Sequence, residues 1–392
     1  MTLNSNRSLM AGVAAMLAAC GGGGGEQPQT PQQRRLYLEP VAVSTALAFD
    51  RVAMGYSSSC MLTAAGEAWC WGSNEYGKLG ATTTLRCTGG TVPCSWQPVR
   101  SAAPLQFDAL SLSLRHGCGL DGAGVLRCWG FGIGGQLGDG RSADSLLPVE
   151  VAGGHVFTRI DAGDTGLLSC ALDAAGAAWC WGPAGGGALG NGTTDMSSVP
   201  VRVTETMPFA SIGVGEDHAC GLDATGQAWC WGRNTYGKLG LGRSGAESVP
   251  TAVIGGHRFT ALVVGGQFSC GLVAAGSALG GRVLGAIADG GAAHLNAPTA
   301  VSGGHVFASL SAGYQHVCGL KSDGTAWCWG GAALAGNGSE AEVTQPAPVA
   351  GGHRFRVVQA GGVATCGLTL AGQPLCWGIN SQGAVGQDNV DP

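Results

Sequence analysis

The sequence predicts an all-β fold of the β-propeller kind, and three observations carry the prediction. One spacing recurs seven times: Pro, eight residues, Phe, ten to twelve residues, Cys. In six of those runs a second Cys follows after nine more residues, across a short turn ending in Gly. Each run then passes through glycines at set offsets before the next Pro. A period of this length makes one supersecondary unit copied many times, so the architecture precedes any local assignment.

The prolines are Pro40, Pro98, Pro148, Pro200, Pro250, Pro298 and Pro346, each nine positions ahead of Phe49, Phe107, Phe157, Phe209, Phe259, Phe307 and Phe355. The first cysteines, Cys60, Cys118, Cys170, Cys220, Cys270, Cys318 and Cys366, stand at steps of 48 to 58 residues. In the fourth copy Phe209, Ile212 and Val214 suit a short buried strand closed by Gly215. His218, Cys220 and Leu222 share one face of the next strand because side chains alternate. Asp223-Ala224-Thr225-Gly226 is a turn ending where a left-handed residue is needed, and Ala228-Trp229-Cys230-Trp231-Gly232 returns as an aromatic strand.

Centring that hairpin on its turn pairs Cys220 with Cys230, with α-carbons expected about 4.5–5.5 Å apart, within disulfide range. The same arithmetic pairs Cys60 with Cys70, Cys118 with Cys128, Cys170 with Cys180, Cys318 with Cys328 and Cys366 with Cys376. A slip of one residue would send the sulfurs to opposite faces, so each bridge would also pin the register. After the second Cys comes Trp-Gly-x-Asn-x-x-Gly-x-Leu-Gly, as in Trp71 to Gly80 and Trp231 to Gly240. The following Pro-Val segment reads as an outer edge strand, where proline is tolerated. Four short strands in about 50 residues make a propeller blade.

The string G-x-x-H-x-C-G-L…G-x-A-W-C-W-G-x-N-x-x-G-x-L-G resembles the bacterial branch of the regulator of chromosome condensation family, over roughly Pro40 to Gly386. That resemblance implies seven blades. The chain itself points to closure: the last copy lacks an outer strand, while Pro40-Val41-Ala42-Val43 precedes the first copy without a blade. The N-terminal strand is expected to complete the seventh blade and leave no open edge. The propeller is expected over 36–392, with copies near 49–97, 98–147, 148–199, 200–249, 250–297, 298–345 and 346–392.

Residues 1–19 read as an export signal, with Arg7 in the basic region and an apolar core from Leu9 to Ala19. Leu17-Ala18-Ala19-Cys20 resembles a bacterial lipobox, which would make Cys20 the lipidated first residue of the mature chain. Residues 20–35 then form a Gly/Gln/Pro-rich tether. Sixteen cysteines resolve as Cys20, six hairpin pairs, Cys87 with Cys94 in one insertion, and the unpaired Cys270. Paired thiols at this density belong to an oxidising compartment. The expected location is therefore the outer membrane or cell surface. Only 11% of residues are charged and net charge is −5, which opposes nucleic-acid binding.

Two copies depart from the frame. In the fifth, Ser277-Ala278-Leu279-Gly280-Gly281-Arg282 replaces the Trp-Cys-Trp-Gly segment, which should make this blade the weakest. In the first, Ala81 to Gln97 is inserted, with Arg86 and Trp96 beside the pair of Cys87 and Cys94. Arg next to Trp on a stiffened loop is hot-spot composition. Copy-specific residues otherwise fall in two loop sets. One holds Tyr56, Arg115, Asp164, Glu216, Asp217, Gln267, Tyr314 and Gln315; the other holds Arg141, Asp144, Asp195, Arg243, Glu247 and Glu340. His116, His218 and His316 recur at one repeat position and read as packing or hydrogen-bonding residues, not metal ligands.

The sequence carries no recognisable Ser-His-Asp motif, phosphate loop or metal spacing, so no cofactor and no metal are expected. The expected function is a monomeric, lipid-anchored, non-enzymatic module binding an envelope protein or glycan. The first alternative is a secreted enzyme inhibitor using a rim loop, a role the resemblance shows this fold can take. A channel-mouth hydrolase or lyase, with Asp164, Glu216 or Asp217 as its acids, ranks lower. So does the nucleotide exchange known among eukaryotic relatives, since fold does not carry function over. The anchor is testable directly: wild-type cells fed a clickable fatty acid should label the protein, and Cys20→Ser should abolish both labelling and membrane retention. Retained labelling in the variant would remove Cys20 from that role.

Overall fold

The structure, a computed structural model, describes residues 35–87, 91–102, 104–163, 166–204, 207–274, 276–281 and 296–388. The expected signal, Cys20 and nearly all of the tether lie outside the described residues, as do Asp164 and Arg282. The rest forms seven antiparallel sheets of four or five strands. Blade 4 shows the plan, running Phe209–Val214, His218–Asp223, Ala228–Gly232 and Glu247–Ala252 from the channel outward.

Its register places Leu222 against Ala228 and Cys220 against Cys230, as the turn arithmetic requires. The turn is held by Asp223, whose Oδ1 accepts the backbone N–H of Thr225 at 2.8 Å and of Gln227 at 3.0 Å. Gly226 closes it at φ +83°, a conformation that penalises any Cβ. The Gly of Cys-Gly-Leu has a packing reason. A Cβ on Gly221 would stand 2.5 Å from the ring of Phe209, which itself stacks 5.9 Å from Trp231.

All six hairpin disulfides form: Cys60 bonds Cys70, Cys118 bonds Cys128, and Cys170 bonds Cys180. Likewise Cys220 bonds Cys230, Cys318 bonds Cys328, and Cys366 bonds Cys376. The Cys87–Cys94 bridge joins them. One expectation is corrected. The α-carbons of all six hairpin pairs stand 4.1 Å apart, closer than the register alone led us to expect. The bond draws the opposed residues together. Cys70, Cys128, Cys180, Cys328 and Cys376 are each fully buried, and Cys230 nearly so, which shields the bridges from solvent.

The Trp that follows the second hairpin Cys joins neighbouring blades. Trp129 Nε1 donates to the carbonyl of Lys78 at 3.0 Å, Trp181 to Gln136 at 3.0 Å, Trp231 to Ala188 at 3.0 Å and Trp377 to Leu334 at 3.2 Å. Each acceptor lies in the Gly-x-Leu-Gly loop of the preceding blade, or its counterpart. Trp71 makes the same contact to Ala384 at 3.1 Å, from blade 1 to blade 7, so the clasp runs through the point of closure. In blades 1, 4 and 7 this loop is organised by the motif's Asn. Asn234 Oδ1 accepts Leu239 N–H at 3.0 Å while its Nδ2 donates to Arg243 O at 2.7 Å. Asn74 and Asn380 do likewise.

Leu36–Ala42 pairs with Pro374–Ile379 as the outermost strand of the last sheet, which realises the expected closure. Each Pro-led strand thus belongs to the blade of the preceding copy. The insertion in copy one is not a free loop. Arg86–Cys87 pairs with Val92–Arg100, a long outer strand, to add a fifth strand to blade 1. Trp96 is half-buried with its backbone against Gly383 of blade 7, and Arg86 is exposed.

Blade 5 keeps its strands but loses its clasp. Cys270 opposes Gly280, and Ser269 opposes Gly281 where Ala219 opposes Trp231 in blade 4. A cavity of about 30 Å³ remains at the junction of blades 4 and 5, lined by Cys230, Leu239, Phe259, Cys270, Leu279 and Pro298. Burial pushes the Cys270 thiol up to about 12, so it is an inert hydrophobe at neutral pH. Gly280→Cys should restore the missing bridge. The expected result is loss of the one titratable thiol and a gain of about 2–3 kcal/mol, several degrees in Tm. Two titratable thiols in that variant would contradict the register.

Candidate binding face

Strand direction decides where the variable loops go. The first-to-second strand loop and the third-to-outer strand loop of a blade leave from the same end, because alternate strands reverse. Both copy-specific loop sets therefore share one face, together with the hairpin of blade 1. The opposite face carries the Asp-headed turns, such as Asp173-Ala174-Ala175-Gly176.

On the loop face Tyr76 and Phe131 pack with ring centroids 4.8 Å apart, from blades 1 and 2. Arg115 lies over both, its guanidinium carbon 5.4 Å from the Tyr76 centroid and 5.3 Å from that of Phe131. Tyr56 and Tyr314 meet edge-on at 5.7 Å, against Gly362 of the intervening blade. Ile133 and Leu146 are each 59% exposed beside the Arg115 cluster, and Leu146 lies against the Gly77 backbone. Glu216 accepts a hydrogen bond from Gln267, and Asp217 pairs with both Lys238 and Arg233. These two acids are tied into contacts between blades 4 and 5 instead of standing side by side. Asp164 lies outside the described residues.

The second loop set is mostly self-paired: Asp144 accepts Gly132 N–H at 2.9 Å, and Arg243 pairs with Glu247 at 2.5 Å. The recurring histidines are buried and reach hydroxyls of the next blade, His116 to Ser169 at 2.8 Å, His218 to Ser269 at 3.1 Å and His316 to Thr365 at 2.6 Å. Burial lowers His116 to about 3 and His316 to about 4, and His218 well below the ordinary value, so all three stay neutral. Among the described residues, no group of three or more His, Cys, Asp or Glu is placed to hold a metal, and no helix is long and apolar enough to cross a membrane.

Sequence reasoning missed two features. The first is the lining of the channel, a cavity of about 300 Å³ ringed by Ala53, Ser111, Asp161, Gly213, Val263, Ser311 and Gln359. All seven oppose the first Cys of their blade. Asp161 is the acid in that ring. Burial raises it to about 6, against the backbone N–H of Gly163 at 2.9 Å and Val214 at 3.2 Å. Its counterparts stand seven residues before the Cys, but Asp161 stands nine before Cys170, which hid the correspondence.

The second is a pair of buried lysines from Gly-Lys-Leu-Gly, with Lys78 only 2% exposed and Lys238 0%. They occupy one repeat position in two electrostatic settings. Lys238 is held by Asp217 and by Gln267 at 3.2 Å. Lys78 meets Ser57 Oγ at 3.1 Å and Leu114 O at 3.0 Å, with no acidic partner among the described residues. Burial lowers it to about 8; Glu75 opposes that shift and Arg115 adds to it.

Three comparisons place the chain. Models of the regulator of chromosome condensation (RCC1) repeat match residues 49–78, 209–238 and 307–332, and a second model of that repeat matches 175–222 and 225–272. E3 ubiquitin-protein ligase HERC2 of Homo sapiens is 31% identical over 145 residues, 36% of this chain and 3% of that protein. RCC1 domain-containing protein RUG3, mitochondrial, of Arabidopsis thaliana is 29% identical over 177 residues, 43% of this chain and 38% of that protein. The chain thus spans well under half of the curated relatives it matches. Among solved structures, human WBSCR16 aligns with TM-score 0.74 at 18% identity, over 92% of this chain and 94% of that one. Prp20p from Saccharomyces cerevisiae, studied for binding Gsp1p and histones, aligns with TM-score 0.67 at 20% identity, over 84% and 82%.

The molecule is a closed seven-bladed propeller with a recurring frame and copy-specific loops. It carries repeats that match the regulator of chromosome condensation (RCC1) repeat.

Lys78 gives this face a measurable stability signature. Its folded form binds a proton less tightly than the unfolded chain, so the penalty is fully present below about pH 8. Stability should rise with pH from there toward 10.5. Lys78→Met should gain about 2 kcal/mol at pH 7, after two lost hydrogen bonds, and flatten that rise in denaturant melts. A comparable loss of stability would show that the ammonium is satisfied where it sits.

Proposed function

We infer that the protein is an exported, non-enzymatic propeller that binds a protein partner through its loop face, anchored to the cell envelope by a lipid on Cys20. One observation carries the reading: both variable loop sets and the stapled hairpin emerge at one end, around the half-exposed Tyr76, Phe131 and Arg115. Aromatic residues and Arg at the centre of a rigid surface are what protein interfaces concentrate. Seven disulfides support an oxidising, extracellular setting. The interactions of Prp20p with Gsp1p and histones belong to that protein and add only that such propellers engage proteins.

A second reading, an inhibitor that plugs an enzyme, draws on the hairpin of Arg86–Cys87 and Val92–Arg100. Its Cys87–Cys94 bridge reduces the entropy lost on docking, and Arg86 is exposed at its edge. Against catalysis by the acids of the loop face stands the engagement of Glu216 and Asp217 with Gln267, Lys238 and Arg233.

The test is site-specific photocrosslinking in intact envelopes. A benzophenone side chain at Phe131 should yield a discrete adduct, and one at Thr225, on the opposite face, should not. Adducts from Thr225 alone would place binding on the turn face and refute the assignment.

A further inference from the structure

The same structural slot is occupied by a lysine between blades 1 and 2 and between blades 4 and 5, and the residues that touch the two ammonium groups differ. At the second site Asp217 of the lysine's own blade pairs with Lys238, and Gln267 of the next blade accepts its second contact. At the first site Ser57 stands where Asp217 would be, and Arg115 stands where Gln267 would be. An acid has been replaced by a hydroxyl and a neutral amide by a second cation. Arg115 has no acidic partner among the described residues; only the faces of Tyr76 and Phe131 receive it.

The protein thus holds two positive charges with no acid in ion-pair contact among the described residues, Glu75 acting on Lys78 only at a distance, beside the half-exposed rings and exposed aliphatic side chains of the loop face. One is buried and the other half-exposed. Lys78 donates to the carbonyl of Leu114, the residue before Arg115, so the two charges are coupled through one peptide unit. Burying an ammonium without a counter-ion costs stability, and such costs persist where binding recovers them.

We propose that this slot receives the carboxylate of an Asp or Glu side chain carried on a loop of a partner protein. Arg115 makes the direct contact, its planar fork matched to a carboxylate. Lys78 supplies field from beneath, and Tyr76 and Phe131 wall the site against water. Ile133 and Leu146, exposed beside it, cover the apolar neighbours of that acid in the partner. The complementary charge is missing from the propeller because the partner brings it.

The inference rests on the loop face being a protein-binding face, and the experiment separates the two claims. Disulfide-closed hexapeptides displayed on phage are selected on the mature, oxidised chain, and a selected peptide is titrated by calorimetry. Asp or Glu should be enriched at one position, and its change to Asn or Gln should weaken binding at least tenfold. Arg115→Gln should weaken binding by a similar factor. Ser57→Asp, which supplies the counter-ion internally as Asp217 does, should do the same. If Ser57→Asp does not fold, the half-exposed Arg115→Gln still decides the matter. Peptides without an acidic preference that are weakened by Phe131→Ala but not by Arg115→Gln would overturn the carboxylate site and leave the binding face standing. Failure to select any peptide, or peptides indifferent to both variants, would overturn both.

Discussion

The structure depends on an indole N–H donated across five of the blade junctions to a carbonyl that a neighbouring loop holds out. Trp129, Trp181, Trp231 and Trp377 make this bond inside the ring, and Trp71 makes it where the chain closes on itself. Each of these rings is fully buried, so the bond is made in a low-dielectric interior where an unpaired N–H would be costly. The Asn-organised loop, the glycines that let it approach, and the Phe beneath the ring all serve that contact. The Trp and the Gly after it recur in six copies, and blade 5 lacks the Trp together with its hairpin bridge. The disulfides act at another level: they fix the register inside a blade, so that each Trp faces the junction and not solvent.

Once the frame is held this way, the loops at one end are released from structural duty. Blade 4 uses that freedom for internal ion pairs, with Asp217 serving Lys238 and Arg233. Blades 1 and 2 use it differently, exposing aromatic rings around Arg115 and leaving Lys78 without an acid among the described residues. A rigid ring with one half internally satisfied and the other unsatisfied is suited to docking in a single orientation. The channel is a separate environment, into which Ser111, Asp161, Ser311 and Gln359 bring polar side chains.

The blade was legible in the sequence because its information is local. A Gly-ended turn fixes the hairpin, the hairpin fixes Cys220 against Cys230, and the other copies repeat the test. The same turn sets Cys60 against Cys70 and Cys366 against Cys376 at the two ends of the ring. Closure was legible because Pro40-Val41-Ala42-Val43 had no other sheet to join. The binding face was only half legible. Tyr56, Arg115, Glu216, Asp217 and Tyr314 stood out as copy-specific, but nothing local announces what they touch. Glu216 meets Gln267 of the next blade, Arg115 meets Tyr76 of the preceding one, and Tyr56 meets Tyr314 across another blade. Lys78 and Lys238 look like frame residues, since both sit in Gly-Lys-Leu-Gly; only the identity of the facing residues, Ser57 and Asp217, separates them. Nothing near Trp96 in sequence points to its place beside Gly383.

The central claim, that the indole clasp holds the ring closed, is tested most directly by native-state amide hydrogen exchange resolved to individual strands. The junction of blades 4 and 5 lacks both clasp and bridge, so the strands Phe259–Val264 and Ser269–Val273 should exchange first and as one unit. The strands flanking the Trp71 contact at closure should be among the last. Uniform protection around the ring, or earliest opening at the junction of blades 1 and 7, would contradict the account.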